Sequence, residues 1–185
     1  MSQQINLTYR ESDWKTPTSF PDLKNASEIA IDLETKDPNI KDKGPGWPTM
    51  DGNIVGIAVA ADGFVGYYPI AHENGSNMDI KMVLDWVQDI VSGPGDKIFH
   101  NAPYDVGWLR AHGIRIKNGR IIDTMIASAI VDENRFSYSL NALGFDLLGE
   151  TKSEAELKQA ADDWGISAKS ELYKLPAKFV GSYAE

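Results

Sequence analysis

The chain has 185 residues, 42% of them hydrophobic and 24% charged, with no cysteine and a formal net charge of −9. That is the composition of an ordinary globular protein with enough length for one sizeable core, and it excludes a disulfide framework or a thiolate metal site. The acidic balance also argues against a broad duplex-coating protein, which would carry a basic face, but not against an enzyme that grips only a few nucleotides.

Residues 1–27 are polar, include Pro17 and Pro21, and read as a lead-in with room for one short strand. Glu28 to Leu33 alternates as a strand, and residues 36–52, with Pro38, Gly44, Pro45, Gly46, Trp47 and Pro48, read as a loop. Asn53 to Ala60 and Phe64 to Ile70 flank Asp62-Gly63, a strong hairpin signal. Asp79 to Val91 carries Ile80, Val83, Leu84, Val87 and Ile90 at helical spacing and stops before Pro94-Gly95. Lys97 to His100 predicts a short buried strand, and Pro103 to His112 a helix closed by Gly113. Ile121-Ile122 predicts another strand, and helices are expected over 123–131, 139–148 and 153–161. A hairpin followed by alternating helices and strands points to an α/β domain with a mixed sheet.

Chemistry concentrates at two places. Asp32 and Glu34 end the run Ile29-Ala30-Ile31-Asp32-Leu33-Glu34-Thr35. In a strand, residues i and i+2 share a face, so both carboxylates project together. Each raises the other's pKa unless a cation such as Mg²⁺ or Mn²⁺ sits between them. The second place is Asn101-Ala102-Pro103-Tyr104-Asp105, which opens a helix. Asn as N-cap, Pro in the first turn and Asp near the N-terminus are also good helix-start chemistry. Strand ends in an α/β sheet gather in one crevice, where three carboxylates would suit a two-metal site.

Together, D-x-E-T after an apolar strand and N-x3-D at a helix start resemble the first two motifs of the DEDD 3′–5′ exonucleases. The chain is most similar to the proofreading exonuclease domain of family A DNA polymerases, in phage versions. The similarity includes Tyr67-Tyr68-Pro69-Ile70, His100 to Asp105, Ile122-Asp123-Thr124-Met125, Tyr138 to Leu143 and Gly181-Ser182-Tyr183-Ala184-Glu185.

The resemblance implies a ribonuclease H-like α/β fold: a mixed sheet, antiparallel in its first three strands and then parallel, flanked by helices. Residues 28–185 would form the exonuclease domain, incomplete at its C-terminus. Asp32 and Glu34 would bind the metals, Asp32 bridging both, and Asp105 would support the second through water. Two Mg²⁺ or Mn²⁺ ions would occupy the complete site. Thr35 and Tyr104 match positions beside the substrate's 3′ end, and Asn101 one that contacts substrate. Tyr183 matches the tyrosine that orients the attacking water. The third motif, Y-x3-D, would place its aspartate at 187, beyond Glu185, so weak activity is expected of these 185 residues. Glu185 lies about 200° from Tyr183 on a helix and does not substitute.

The implied partners are the 3′ end of single-stranded DNA and a C-terminal polymerase domain, in DNA replication. A ribonuclease D-like RNA exonuclease and a non-catalytic binding or structural module are the competing readings. No stretch approaches the ~18 apolar residues of a membrane span. Met1 to Asn6 lack signal-peptide character, so a cytoplasmic location is expected, in the host if phage-encoded. The sequence leaves the oligomeric state open.

Other candidates read as structural. Asp123 is expected to hold a helix start, and Asp162 and Asp163 to face solvent. His72, His100 and His112 are expected in surface or core roles. Trp14 and Trp47 would anchor loops, and Lys36, Lys41 and Lys43 would be solvated. Tyr138, Leu140, Leu143, Leu147 and Leu148 form a helical stripe expected in the core.

Overall fold

A computed structural model describes residues 12–150 and 154–185. Five strands form one sheet: β1 (Glu28–Lys36), β2 (Asn53–Ala61), β3 (Phe64–Pro69), β4 (Asp96–Phe99) and β5 (Ile121–Asp123), in the order β3-β2-β1-β4-β5. The first three are antiparallel neighbours, while β4 runs parallel to both β1 and β5. This is the mixed sheet expected of a ribonuclease H-like fold. The helices are α1 (Ile40–Lys43), α2 (Ile80–Val91), α3 (Ala102–Ala111), α4 (Thr124–Val131), α5 (Leu140–Leu148), α6 (Ala155–Trp164) and α7 (Ala177–Ala184), with a 3-10 turn at Leu172–Lys174.

Alternation along β1 divides the molecule. Ile29, Ile31 and Leu33 are buried in the main core with Val83, Val87 and Ile90 of α2 and Val106 and Leu109 of α3. The opposite face holds a second cluster, in which Ala58 and Tyr67 meet Leu157, Ala160 and Ala161 of α6, Leu172, Leu175 and Val180. Part of the lead-in belongs to these cores. Phe20 stacks on Tyr68 with centroids 5.5 Å apart, and Trp14 lies 6.0 Å from Tyr67. Residues 12–27 contain no strand, and residues 1–11 lie outside the described residues.

Both tryptophans anchor loops as expected, each against a glycine that leaves room for the ring. A Cβ at Gly181 would come within 2.1 Å of Trp14, and one at Gly107 within 2.5 Å of Trp47. Trp47 therefore seats the 37–52 loop on α3. That loop also contains α1, a single turn that the sequence reading leaves as irregular chain.

Two expectations fail. The α5 stripe is not core: Leu143 is buried, but Leu140 is 42% exposed, Leu147 67% and Leu148 74%. Helical spacing marks an apolar face without supplying a partner for it. Asn101 does not cap α3 with its side chain either. It stands in the left-handed region at φ 71°, and the acceptor for the helix start comes from Asp123 instead.

Candidate active site

The parallel pairing of β1 with β4 covers only Glu28 to Ala30. Beyond Ala30, β1 continues along β2 alone, so its other backbone edge needs different partners. Asp105, in the first turn of α3, meets that need by accepting a backbone hydrogen bond from Leu33. The placement buries the carboxyl to 3% exposure. Burial, then the charges of Asp32 and Glu34, push its pKa up to about 8, with the Leu33 bond pulling the other way. Asp105 thus lies within electrostatic reach of Asp32 and Glu34, the other two carboxylates that the sequence singles out.

Register explains why the face bearing Asp32 and Glu34 stays open. Asp32 is opposite Ala58 and Glu34 is opposite Gly56, so small residues flank both carboxylates. One strand further, Ala58 is opposite Tyr67. The Tyr67 ring lies beneath Gly56, where a Cβ would sit 2.0 Å from its hydroxyl oxygen. Burial, then Glu34 and Asp32, raise the phenol pKa well above the usual range. Its O–H is 2.7 Å from His72 Nε2, and His72 Nδ1 is 2.8 Å from the Leu175 carbonyl. The carbonyl accepts only, so Nδ1 carries the imidazole proton and Tyr67 donates to Nε2. Burial lowers His72 to about 4, which keeps the ring neutral. The sequence reading gives His72 only a generic structural role and misses this pairing with Tyr67 beside the carboxylates.

A cavity of about 500 Å³ opens between this sheet face, α5 and α7. Asp32, His100 and Thr124 line one wall, Leu140, Asn141 and Leu148 another, and Tyr183 of α7 a third. Asp32 and Tyr183 therefore face one space. Glu185, two residues on, lines the same cavity, and its carboxylate accepts from Trp14 Nε1 at 2.7 Å and from the Tyr67 backbone N–H at 3.0 Å. It pins the end of α7 to the sheet-edge strand β3. Asp162 and Asp163 are exposed, as expected.

Thr35 and Tyr104 are also brought together, Oγ1 to hydroxyl, at 2.7 Å. Burial raises the Tyr104 phenol, which keeps its proton. Asn101 is exposed beside the site, and its backbone N–H reaches Asp123 at 3.2 Å. Burial pushes the Asp123 carboxyl up, but bonds from Ala102, Ile126, Asn101 and Met125 outweigh it and hold the group below its ordinary range. Lys36 is less solvated than expected: it pairs with Glu73 at 3.1 Å and lies 4.4 Å from the Tyr173 ring centroid.

Among the described residues, no three His, Asp or Glu side chains form a closed metal-holding group. The donor chemistry nevertheless fits a hard divalent cation. All three groups are carboxylates, and a cation beside them would offset both the burial and the repulsion that raise Asp105.

Residues 18–184 match the 3′–5′ exonuclease family of DNA polymerase A type. The DNA-directed DNA polymerase of Pseudomonas phage M6 is 39% identical over 185 residues, which are 97% of this chain and 28% of that protein. The Nibbler EXO domain of Aedes aegypti superposes with a TM-score of 0.54 at 13% identity, over 83% of this chain and 73% of that one. The POL domain of Pol1 from M. smegmatis, in complex with DNA primer-template and dNTP, gives 0.52 at 17% identity, over 85% and 24%. These likenesses to solved structures show the fold.

Proposed function

The chain belongs to the 3′–5′ exonuclease family of A-type DNA polymerases, and from that premise we propose that it removes nucleotides from the 3′ end of single-stranded DNA as the proofreading part of a polymerase. The observation that carries the reading is that Asp105 is buried within electrostatic reach of Asp32 and Glu34, burial first and their charges second raising it to about 8.

Asp32 and Glu34 would hold divalent metal directly, and Asp105 would support it from beneath β1. Two Mg²⁺ or Mn²⁺ ions would lower the pKa of the attacking water and stabilise the leaving 3′ oxygen. Tyr183 would orient that water across the cavity from Asp32. A phenol with pKa ~10 is too weak a base to take its proton outright. Thr35 and Tyr104 would receive the terminal sugar, with Asn101 at the rim contacting the strand. Aromatic contacts suit binding that tolerates any base.

The test supplies 5′-labelled single strands of DNA and of RNA to a chain extended past residue 187, with Mg²⁺ or with chelator. We expect Mg²⁺-dependent stepwise shortening of DNA from its 3′ end, lost in Asp32→Ala while the thermal transition is kept. Wild-type cleavage by Asp32→Ala would overturn the assignment, and faster loss of RNA would redirect it to an RNA exonuclease.

A further inference from the structure

One imidazole joins the carboxylate face to the helix that carries Tyr183. His72 accepts from the Tyr67 hydroxyl through Nε2 at 2.7 Å and donates from Nδ1 to the Leu175 carbonyl at 2.8 Å. Tyr67 lies beneath Gly56, the residue opposite Glu34. Leu175 comes just before Ala177, where α7 begins.

The neighbours of His72 grip the same stretch of chain. The Glu73 backbone N–H donates to the Tyr173 carbonyl at 2.8 Å, and Asn74 Nδ2 donates to the Lys174 carbonyl at 2.8 Å. Gly75, at φ 97°, closes against Pro176, where a Cβ would lie 3.2 Å from Pro176 Cα and Cβ. Residues 72–75 thus hold residues 173–176, the segment that delivers α7. The grip is itself braced. Asn77 both accepts from the His72 backbone N–H and donates to the His72 carbonyl, each at 2.8 Å. Lys36, at the end of β1, donates to Glu73 at 3.1 Å and lies 4.4 Å from the Tyr173 ring centroid. The strand bearing Asp32 and Glu34 therefore shares an anchor with the base of α7.

That base depends on support from outside the helix, because its N-cap residue, Pro176, makes no side-chain cap bond. Tyr183 stands about 9 Å further along the axis, so a tilt at the base is carried to its hydroxyl. We propose that His72 is a positioning residue that sets where α7 stands over the sheet, and so where the Tyr183 hydroxyl stands relative to Asp32. The inference rests on the reading above that Tyr183 orients the attacking water. A residue that only filled the core would be apolar; His72 is 4% exposed and commits both ring nitrogens, one to the floor of the carboxylate face and one to the base of α7.

Hydrogen exchange of this 185-residue chain reads the seating of α7 without any reaction. In His72→Ala, the amides of residues 177–185 should exchange about 3–10-fold faster, the worth of one hydrogen bond, while those of β1 keep their protection. His72→Asn, which keeps an N–H for the Leu175 carbonyl, should restore the slower exchange. Wild-type protection of residues 177–185 in folded His72→Ala overturns the proposal.

In the extended chain with Mg²⁺, His72→Ala should lower kcat by up to about 100-fold with KM little changed. Added to Tyr183→Phe, it should cost about twofold or less, because both changes act through one hydroxyl. Losses that multiply in full overturn the proposal. If His72→Ala melts too low to assay, Asn74→Ala carries both measurements, since Asn74 is exposed and its loss releases the Lys174 carbonyl without touching the core. If Tyr183→Phe alone leaves kcat unchanged, or the extended chain does not cleave, the reading of the site falls while exchange still decides the seating of α7.

Discussion

Asp123 Oδ2 accepts the Ala102 backbone N–H at 2.8 Å, and Oδ1 of the same side chain accepts the Met125 N–H at 2.9 Å. One carboxylate at the end of β5 thus starts both α3, which carries Asp105, and α4. Asp123→Ala is expected to cost about 1–4 kcal/mol, two helix caps at ~0.5–2 each. Asp123→Asn should cost less because it keeps an acceptor. Urea unfolding of the two variants checks this; equal and small losses would remove the double-cap role.

Asp105 makes metal-free stability depend on pH in an unusual direction. Its folded pKa of about 8 lies above the ordinary carboxyl value, so the folded state keeps a proton that the unfolded chain loses first. Its contribution to stability is therefore fully present below pH ~4 and falls progressively as pH rises toward about 8. Metal binding must displace that proton, so Mg²⁺ affinity should increase over the same window. Melting temperatures at pH 5 and pH 8, with chelator and with Mg²⁺, test this. A Mg²⁺-induced gain that is no larger at pH 8 would contradict it.

Gly56→Ala addresses the support beneath Glu34. The new methyl would sit 2.0 Å from the Tyr67 hydroxyl, whose ring is locked by His72. Neither can yield easily, so a loss of about 1–3 kcal/mol is expected, with weaker metal binding through a displaced Glu34. Calorimetric melting and Mg²⁺ titration measure the two effects. An unperturbed melt would show that Tyr67 moves freely.

Tyr183→Phe keeps the ring that lines the cavity opposite Asp32 and removes only its hydroxyl. In the extended chain, kcat should fall about 100-fold, the lower end for a positioned proton-handling group, with KM little changed. Single-turnover kinetics separate the two parameters. An unchanged kcat would leave water orientation to another residue.

Much of this site is legible in the sequence because it depends on local periodicity. The two-residue spacing of Asp32 and Glu34, the helix start at Asp105 and the Asp62-Gly63 hairpin each follow from chain geometry alone. Ends of elements move by up to three residues, as with β1, which runs on from Leu33 to Lys36. What escapes depends on partners distant in sequence. Asn101 resembles an N-cap until Asp123, 22 residues away, supplies the acceptor. Tyr67 reads as one residue of a strand and His72 as a surface or core residue, because what fixes the His72 ring is Leu175, 103 residues away. Gly56 and Ala58, small residues facing the carboxylates, were the available signal. Leu147 and Leu148 keep helical spacing while remaining exposed, since periodicity cannot show whether a face is covered.

β1 works as a two-sided blade. Ile29, Ile31 and Leu33 fill the core, while Asp32 lines the cavity and Glu34, two residues on, shares its face of the strand. Because the side-chain period is two, inserting or deleting one residue early in this strand would exchange the sides, sending carboxylates into the core and isoleucines toward the cavity. Substitutions that keep each side's character are a far milder change. The length of this segment is therefore under a tighter constraint than most of its letters, and its reading frame within the fold is itself part of the candidate site.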